Sequence, residues 1–112
     1  MKLPCGENVV IERGKIADYL LEEAHPDNGG KAFFFVSLGF TQNEWEELAA
    51  AFRKLAVEFP IANRVESLHG WKYVVDGEIE TPSGKKARVR TVWIVDRGLE
   101  IPRLVTAYPR EE

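Results

Sequence analysis

The chain has a single cysteine, Cys5, so no disulfide can form within it, and a reducing, cytoplasmic setting is expected. It has only two histidines, His25 and His69. With the scattered carboxylates they match no metal-ligand spacing, so no metal or other cofactor is expected. There is no phosphate-binding Walker loop, no Gly-x-Ser-x-Gly elbow and no dinucleotide-binding glycine pattern, which removes the common nucleotide-dependent and serine-hydrolase classes. No stretch approaches the roughly 18 apolar residues of a membrane helix. The opening MKLPCGENVV lacks the apolar run of a secretion signal. Nor is there a basic excess: 15 Lys and Arg face 18 Asp and Glu, a net charge of −3. That balance argues against indiscriminate nucleic-acid binding.

What is present suits one compact domain: 112 residues, 45% of them hydrophobic, with no internal repeat. The charge is unevenly spread. Residues 1–60 carry six basic and ten acidic side chains, whereas residues 81–110 carry seven basic and two acidic. Three of the acids, Glu44, Glu46 and Glu47, belong in the first turn of a helix, where the dipole favours them.

The first half reads as helices. Val9, Val10 and Ile11 suit a short extended lead-in, and Ile16, Tyr19 and Leu20 form an i, i+3, i+4 stripe that predicts a helix over about 14–23. The segment AHPDNGG breaks it. KAFFFVSLG predicts a short helix over about 30–38, with Asn28 as its cap and Gly39 as its stop. Thr41 followed by Glu44 forms a capping box. Trp45, Leu48, Phe52, Leu55 and Phe59 then line one face of a helix over about 42–59, which Pro60 ends.

The second half alternates with period two and predicts strands over about 70–80, 85–96 and 103–108. Helices packed on one face of an antiparallel sheet make an α+β fold. TPSG, residues 81–84, reads as a turn. A three-residue loop there pairs residues whose numbers sum to 166. Glu80 then faces Lys86, Glu78 faces Arg88 and Asp76 faces Arg90, with apolar pairs on the other face. This accounts structurally for much of the basic stretch KKARVR. It leaves Lys85, Arg97, Arg103 and Arg110 without a predicted partner.

Lys31-Ala32, Phe34, Leu38-Gly39, Trp93-Ile94 and the run from Pro102 to Tyr108 resemble the recurring features of a bacterial family known only as a domain of unknown function. The resemblance spans nearly the whole chain and implies no activity. More loosely, helices followed by a meander ending in a Thr/Tyr strand are similar to the superfold of barnase, colicin nucleases and RelE-type toxins. Many of its members are metal-independent ribonucleases. That likeness implies RNA as a substrate and a cognate acidic protein as a partner, and it carries no catalytic signature onto individual residues here.

Cleavage of RNA by its own 2′-hydroxyl needs a base, an acid and cations around the phosphate. His25, Lys31 and His69 are the candidate catalytic residues, with Lys31 placed at a helix start where an anion is favoured. Arg88, Arg90 and Arg103 are the candidate nucleic-acid contacts. Thr106 and Tyr108 lie on the last strand, where alternation places them on one face with Leu104 as core. Each has a structural reading as well: His25 as a loop residue, His69 as the opening of a strand, the arginines as salt-bridge partners. Two functions follow: a toxin-like RNase or RNA-binding domain, or a non-catalytic protein-interaction module.

Overall fold

The computed structural model describes residues 1–26 and 30–110; the expected Asn28 cap lies outside them. After a 3-10 turn at Gly6–Asn8, helix α1 (Arg13–Lys15) continues as a π-helical turn, Ile16–Leu20. Helices α2 (Lys31–Ser37) and α3 (Trp45–Glu58) follow. Four strands complete the chain: β1 (Ile61–Ser67), β2 (Gly70–Glu80), β3 (Lys86–Asp96) and β4 (Arg103–Pro109). They form an antiparallel sheet in the order β1-β2-β3-β4. The fold is α+β, with the helices preceding the sheet.

Strand β1 has no counterpart among the sequence expectations. Its residues 62–66 are all exposed, so it shows little of the apolar alternation by which a half-buried strand is recognised. The first helix ends at Leu20 rather than near residue 23. Leu21 N–H donates to the Ile16 carbonyl at 2.8 Å, five residues back, which closes a wide turn instead of extending an α-helix.

Other elements form for legible reasons. Gly39, at φ 99°, ends α2 as expected: its N–H donates to Val36 O and that of Phe40 to Phe35 O, the paired bonds of a Schellman ending. Glu44 N–H donates to Thr41 Oγ1 ahead of α3. In the β2–β3 turn, Gly84 N–H donates to Thr81 O and Gly84 takes a φ of 87°, the left-handed position of a three-residue loop. The predicted pairing holds along its length, from Glu80 with Lys86 to Tyr73 with Trp93.

The core lies between the helices and the face of the sheet bearing Tyr73, Val75, Ile79, Val89, Trp93, Leu104 and Ala107. Helix α3 contributes Leu48, Phe52 and Leu55, all buried, and the Phe52 ring meets Phe35 edge-on with centroids 5.8 Å apart. Phe59 lies so close over Gly77 that a Cβ there would come within 2.6 Å of its ring. One polar chain runs through this core. Trp93 Nε1 donates to Thr91 Oγ1, which donates to Val75 O, both at 2.8 Å.

Strand β4 departs from strict alternation. Val92 pairs with Thr106 but Trp93 pairs with Leu104, leaving Val105 as a bulge. Leu104 and Ala107 therefore share the helix-covered face, while Thr106 and Tyr108 turn to the open one. The expectation that Thr106 and Tyr108 share a face with Leu104 is corrected by this extra residue. The start of β4 is covered on its outer side by the lead-in segment: Val10 N–H donates to Pro102 O, and Leu104 N–H to Val10 O.

Phe52→Ala is expected to destabilise the protein by about 3–5 kcal/mol; a urea midpoint shift equivalent to less than 1 kcal/mol would show that the ring is not held as described. Thr91→Val is expected to cost about 1–3 kcal/mol despite its near-equal volume, because it strands the Trp93 indole N–H. The same titration measures it.

Candidate active site at the edge of the fourth strand

Lys31 opens α2 after Gly30, whose φ of 85° glycine tolerates without strain. From there its side chain crosses to the outer edge of the sheet. Lys31 Nζ donates to Tyr19 Oη at 2.8 Å and to Thr106 Oγ1 at 3.0 Å. It stands 5.9 Å from the centre of the Tyr108 ring. Lys15 Nζ lies 5.3 Å from the centre of the Tyr19 ring, and the His25 ring meets that ring edge-on at 5.1 Å. Tyr19 thus joins residues from α1, the loop before α2, α2 itself and β4.

These neighbours alter Tyr19. Burial is the largest single influence and pushes its phenol up. Hydrogen bonds from Lys31 and Thr106, with the charges of Lys31 and Lys15, together outweigh it and hold the group below a phenol's ordinary value. Adjacent cations favour the phenolate, which is what makes a tyrosine useful in proton transfer.

On the open face the cluster continues through Tyr108, which pairs with Arg90 across the strands. Arg90 Nε and Nη2 donate to the two Asp76 oxygens at 2.7 and 2.9 Å, a forked pair. Arg110 Nε reaches the same carboxylate at 2.9 Å. The hydrogen bonds from Arg90 are the main cause holding the Asp76 carboxyl below its usual range. Arg90 is raised above its ordinary value by Asp76 first, with Tyr108 adding to it.

The sequence-predicted residues divide between two ends of the sheet. His25, Lys31 and Arg90 fall in or beside this cluster. His69 does not: it sits in the β1–β2 turn, its carbonyl accepting from Arg97 N–H, next to the Gly70–Asp96 pair. Asp96 and Arg90 stand six positions apart on β3, about 20 Å. Arg103 is also at the His69 end, its guanidinium forked on Asp96 at 2.8 and 3.2 Å. Arg88 is exposed opposite Glu78, its carbonyl accepting from Arg110 N–H. The expectation that Arg103 and Arg110 lack partners is corrected by Asp96 and Asp76, and Arg97 donates to the carbonyls of Leu68 and Ser67.

Tyr19 was read only as part of an apolar stripe. The available signal was its hydroxyl, since a stripe that needs only packing is served by leucine. It also borders a cleft of about 420 Å³ lined by Glu12, Gly14, Lys15, Asp18 and His25. A separate cleft of about 450 Å³, between α3 and the hairpin, includes Glu47, Glu58, Glu78 and Glu80 against Lys54 and Lys86. Its charge disfavours a phosphate ligand. Among the described residues, no group of three or more His, Cys, Asp or Glu is placed to hold a metal ion, and no helix is long and apolar enough to cross a membrane.

Residues 2–111 match the family described as a domain of unknown function (DUF6883), and the chain belongs to that family. No curated protein matches it. Among solved structures it is similar to a chain of a contact-dependent growth inhibition toxin–immunity protein complex from Klebsiella pneumoniae 342, with a TM-score of 0.72. The similarity covers 90% of this chain and 99% of that one at 17% identity, which makes it a likeness of fold.

The Asp76 cluster sets a pH dependence. A carboxyl held below its unfolded value stabilises the fold above that value, about 3.9, and the contribution is lost as pH falls through the folded one. Asp76→Asn is expected to cost about 1.5–3 kcal/mol at pH 7, and the gap between variant and parent should be smaller at pH 3, below the unfolded value. Urea titrations at the two pH values test this, and a gap that stays constant would exclude the ionised carboxylate as its source.

Proposed function

We propose that the domain is a toxin-type ribonuclease that cleaves RNA through the 2′-hydroxyl without a metal, and that its active surface is the Tyr19–Lys31–Thr106–Tyr108 cluster with His25 and Arg90. The observation that carries this reading is the Lys31 ammonium, which donates to both Tyr19 and Thr106, while the Tyr19 ring in turn meets His25 edge-on and lies near Lys15. The set contains each kind of group the reaction needs. In this reading the 2′-oxygen attacks phosphorus and loses its proton to His25 or Tyr19, while the P–O5′ bond breaks and the 5′-oxygen takes a proton from the other. Histidine suits one role because it ordinarily titrates near neutral pH. Lys31 and Arg90 offset the charge that builds on the phosphate oxygens. The fold likeness to a chain from a toxin–immunity protein complex supports a toxin- or immunity-type role and a protein partner; the Lys31 cluster is what favours the toxin side of that pair. Such a partner would be acidic where it covers Lys15, Lys31 and Arg90.

A non-catalytic interaction module is the second reading. Leu68, Leu99 and Ile101, all exposed near the His69 end, favour it. The two are separated with purified protein and labelled single-stranded RNA at low salt, with folding confirmed by circular dichroism. Cleavage is expected to persist in a chelator, and binding to weaken steeply with salt. Lys31→Ala and His25→Ala should each lower the rate by about 100-fold or more, as should Tyr19→Phe, whereas His69→Ala should leave it unchanged. Absence of both binding and cleavage by the folded parent would refute the ribonuclease reading and leave the interaction module.

A further inference from the structure

Strand β1 is the sheet's other edge, and among the described residues its outer side is open over most of its length. Its start is covered: Ile61 N–H donates to Met1 O at 2.7 Å, and Lys2 bridges Pro60. Beyond that the strand has a bulge between Ile61 and Asn63, but from Asn63 to Ser67 it runs regularly against β2 and holds no proline or lysine, two of the usual protections against edge pairing.

The outward backbone groups can be assigned. Arg97 N–H donates to His69 O, so at the adjoining Gly70–Asp96 pair the Gly70 amide and carbonyl point away from β3, toward β1. By alternation those of Lys72 and Val74 do so too. Their partners Ser67, Val65 and Asn63 therefore bond inward, and Arg64 and Glu66 present N–H and C=O groups to the outside. The Arg64 N–H donates to its neighbour's side chain, Asn63 Oδ1, at 2.9 Å, a local contact that a strand partner can displace.

We infer that β1 is a self-association edge: two copies of this chain pair antiparallel about a two-fold axis at Val65, giving a continuous eight-stranded sheet. In that register, residues of the two copies sum to 130. Arg64 of each copy faces Glu66 of the other, and those are the residues whose backbone groups point outward, so each such pair exchanges two backbone hydrogen bonds. The side chains on that face are of opposite charge at both positions. On the other face the exposed Val65 of one copy meets Val65 of the second. A register shifted by one residue would place inward-bonded residues opposite outward ones and lose the bonds. Two-fold symmetry demands a self-complementary patch, and Arg-Val-Glu centred on valine is one. The covered start at Ile61 and the turn at Leu68 bound the free stretch, and residues 63–67, centred on Val65, fit between them. One strand per subunit is a narrow contact, so the association is concentration-dependent.

Sedimentation equilibrium on the intact chain, from micromolar to millimolar, tests this. The parent is expected to show a monomer–dimer equilibrium. Arg64→Glu and Glu66→Arg each place like charges opposite one another twice, and each should weaken association by about tenfold or more. The double exchange Arg64→Glu, Glu66→Arg should restore it. Mixing the two single variants should yield a heterodimer where neither alone dimerises. Circular dichroism confirms that the variants are folded. A parent that stays monomeric throughout, or a dimer indifferent to the charge exchanges, would overturn the proposal.

Discussion

The three-residue turn between β2 and β3 sets the register on which the rest of the molecule depends. Because side chains alternate across a strand, a slip of one residue would move Tyr73, Val75, Trp93 and Thr91 out of the core together. It would also part Asp76 from Arg90. The turn prevents this by supplying Gly84 at the one position that needs a left-handed backbone, with the bond between Gly84 N–H and Thr81 O closing it. Oppositely charged residues on one face and apolar pairs on the other favour the same register, so local and long-range preferences agree.

A second, opposite device operates in β4. There the bulge at Val105 breaks alternation and sends Leu104 and Ala107 to the core while Thr106 and Tyr108 face out. Without it, Thr106 would not share the Lys31 ammonium with Tyr19, and Tyr108 would not border Arg90. The hairpin makes the core, and the bulge lets the last strand serve the core and the proposed active surface at once. Lys31 is the link between them, reaching from the helical layer around the sheet's edge.

Much of this was legible in the sequence for identifiable reasons. Gly39, the Thr41–Glu44 box and TPSG act locally, through positive φ, a capped amide and a tight turn, so they could be read without knowing the tertiary structure. The stripe from Leu48 to Leu55 was equally plain because a single face of α3 is buried. Strand β1 was not, because an edge strand exposed on both faces has no alternation to read. The bulge was invisible for a related reason: Leu-Val-Thr-Ala-Tyr alternates acceptably, and only pairing with β3 shows that one residue is extra. The proposed surface was half visible. Types and charges suggested His25, Lys31 and Arg90, but nothing in the chain separated them from His69 and Arg103, which the sheet carries to its far end. Tyr19 was hidden by the stripe it belongs to.

The hairpin tip also touches the helical layer. Ser83 N–H donates to Leu38 O at 3.1 Å, and a Cβ on Gly39 would stand 3.0 Å from Pro82. Helix α2 is therefore tethered at both ends, to the hairpin tip through Leu38 and to the rim of β4 through Lys31. An exposed turn is ordinarily where a protein accepts added or lost residues. In this fold that tolerance is withdrawn from TPSG, because a longer loop would lift off the helix that carries the lysine. Variation in length is left to connections that hold no helix, such as the six residues between Asp96 and Arg103.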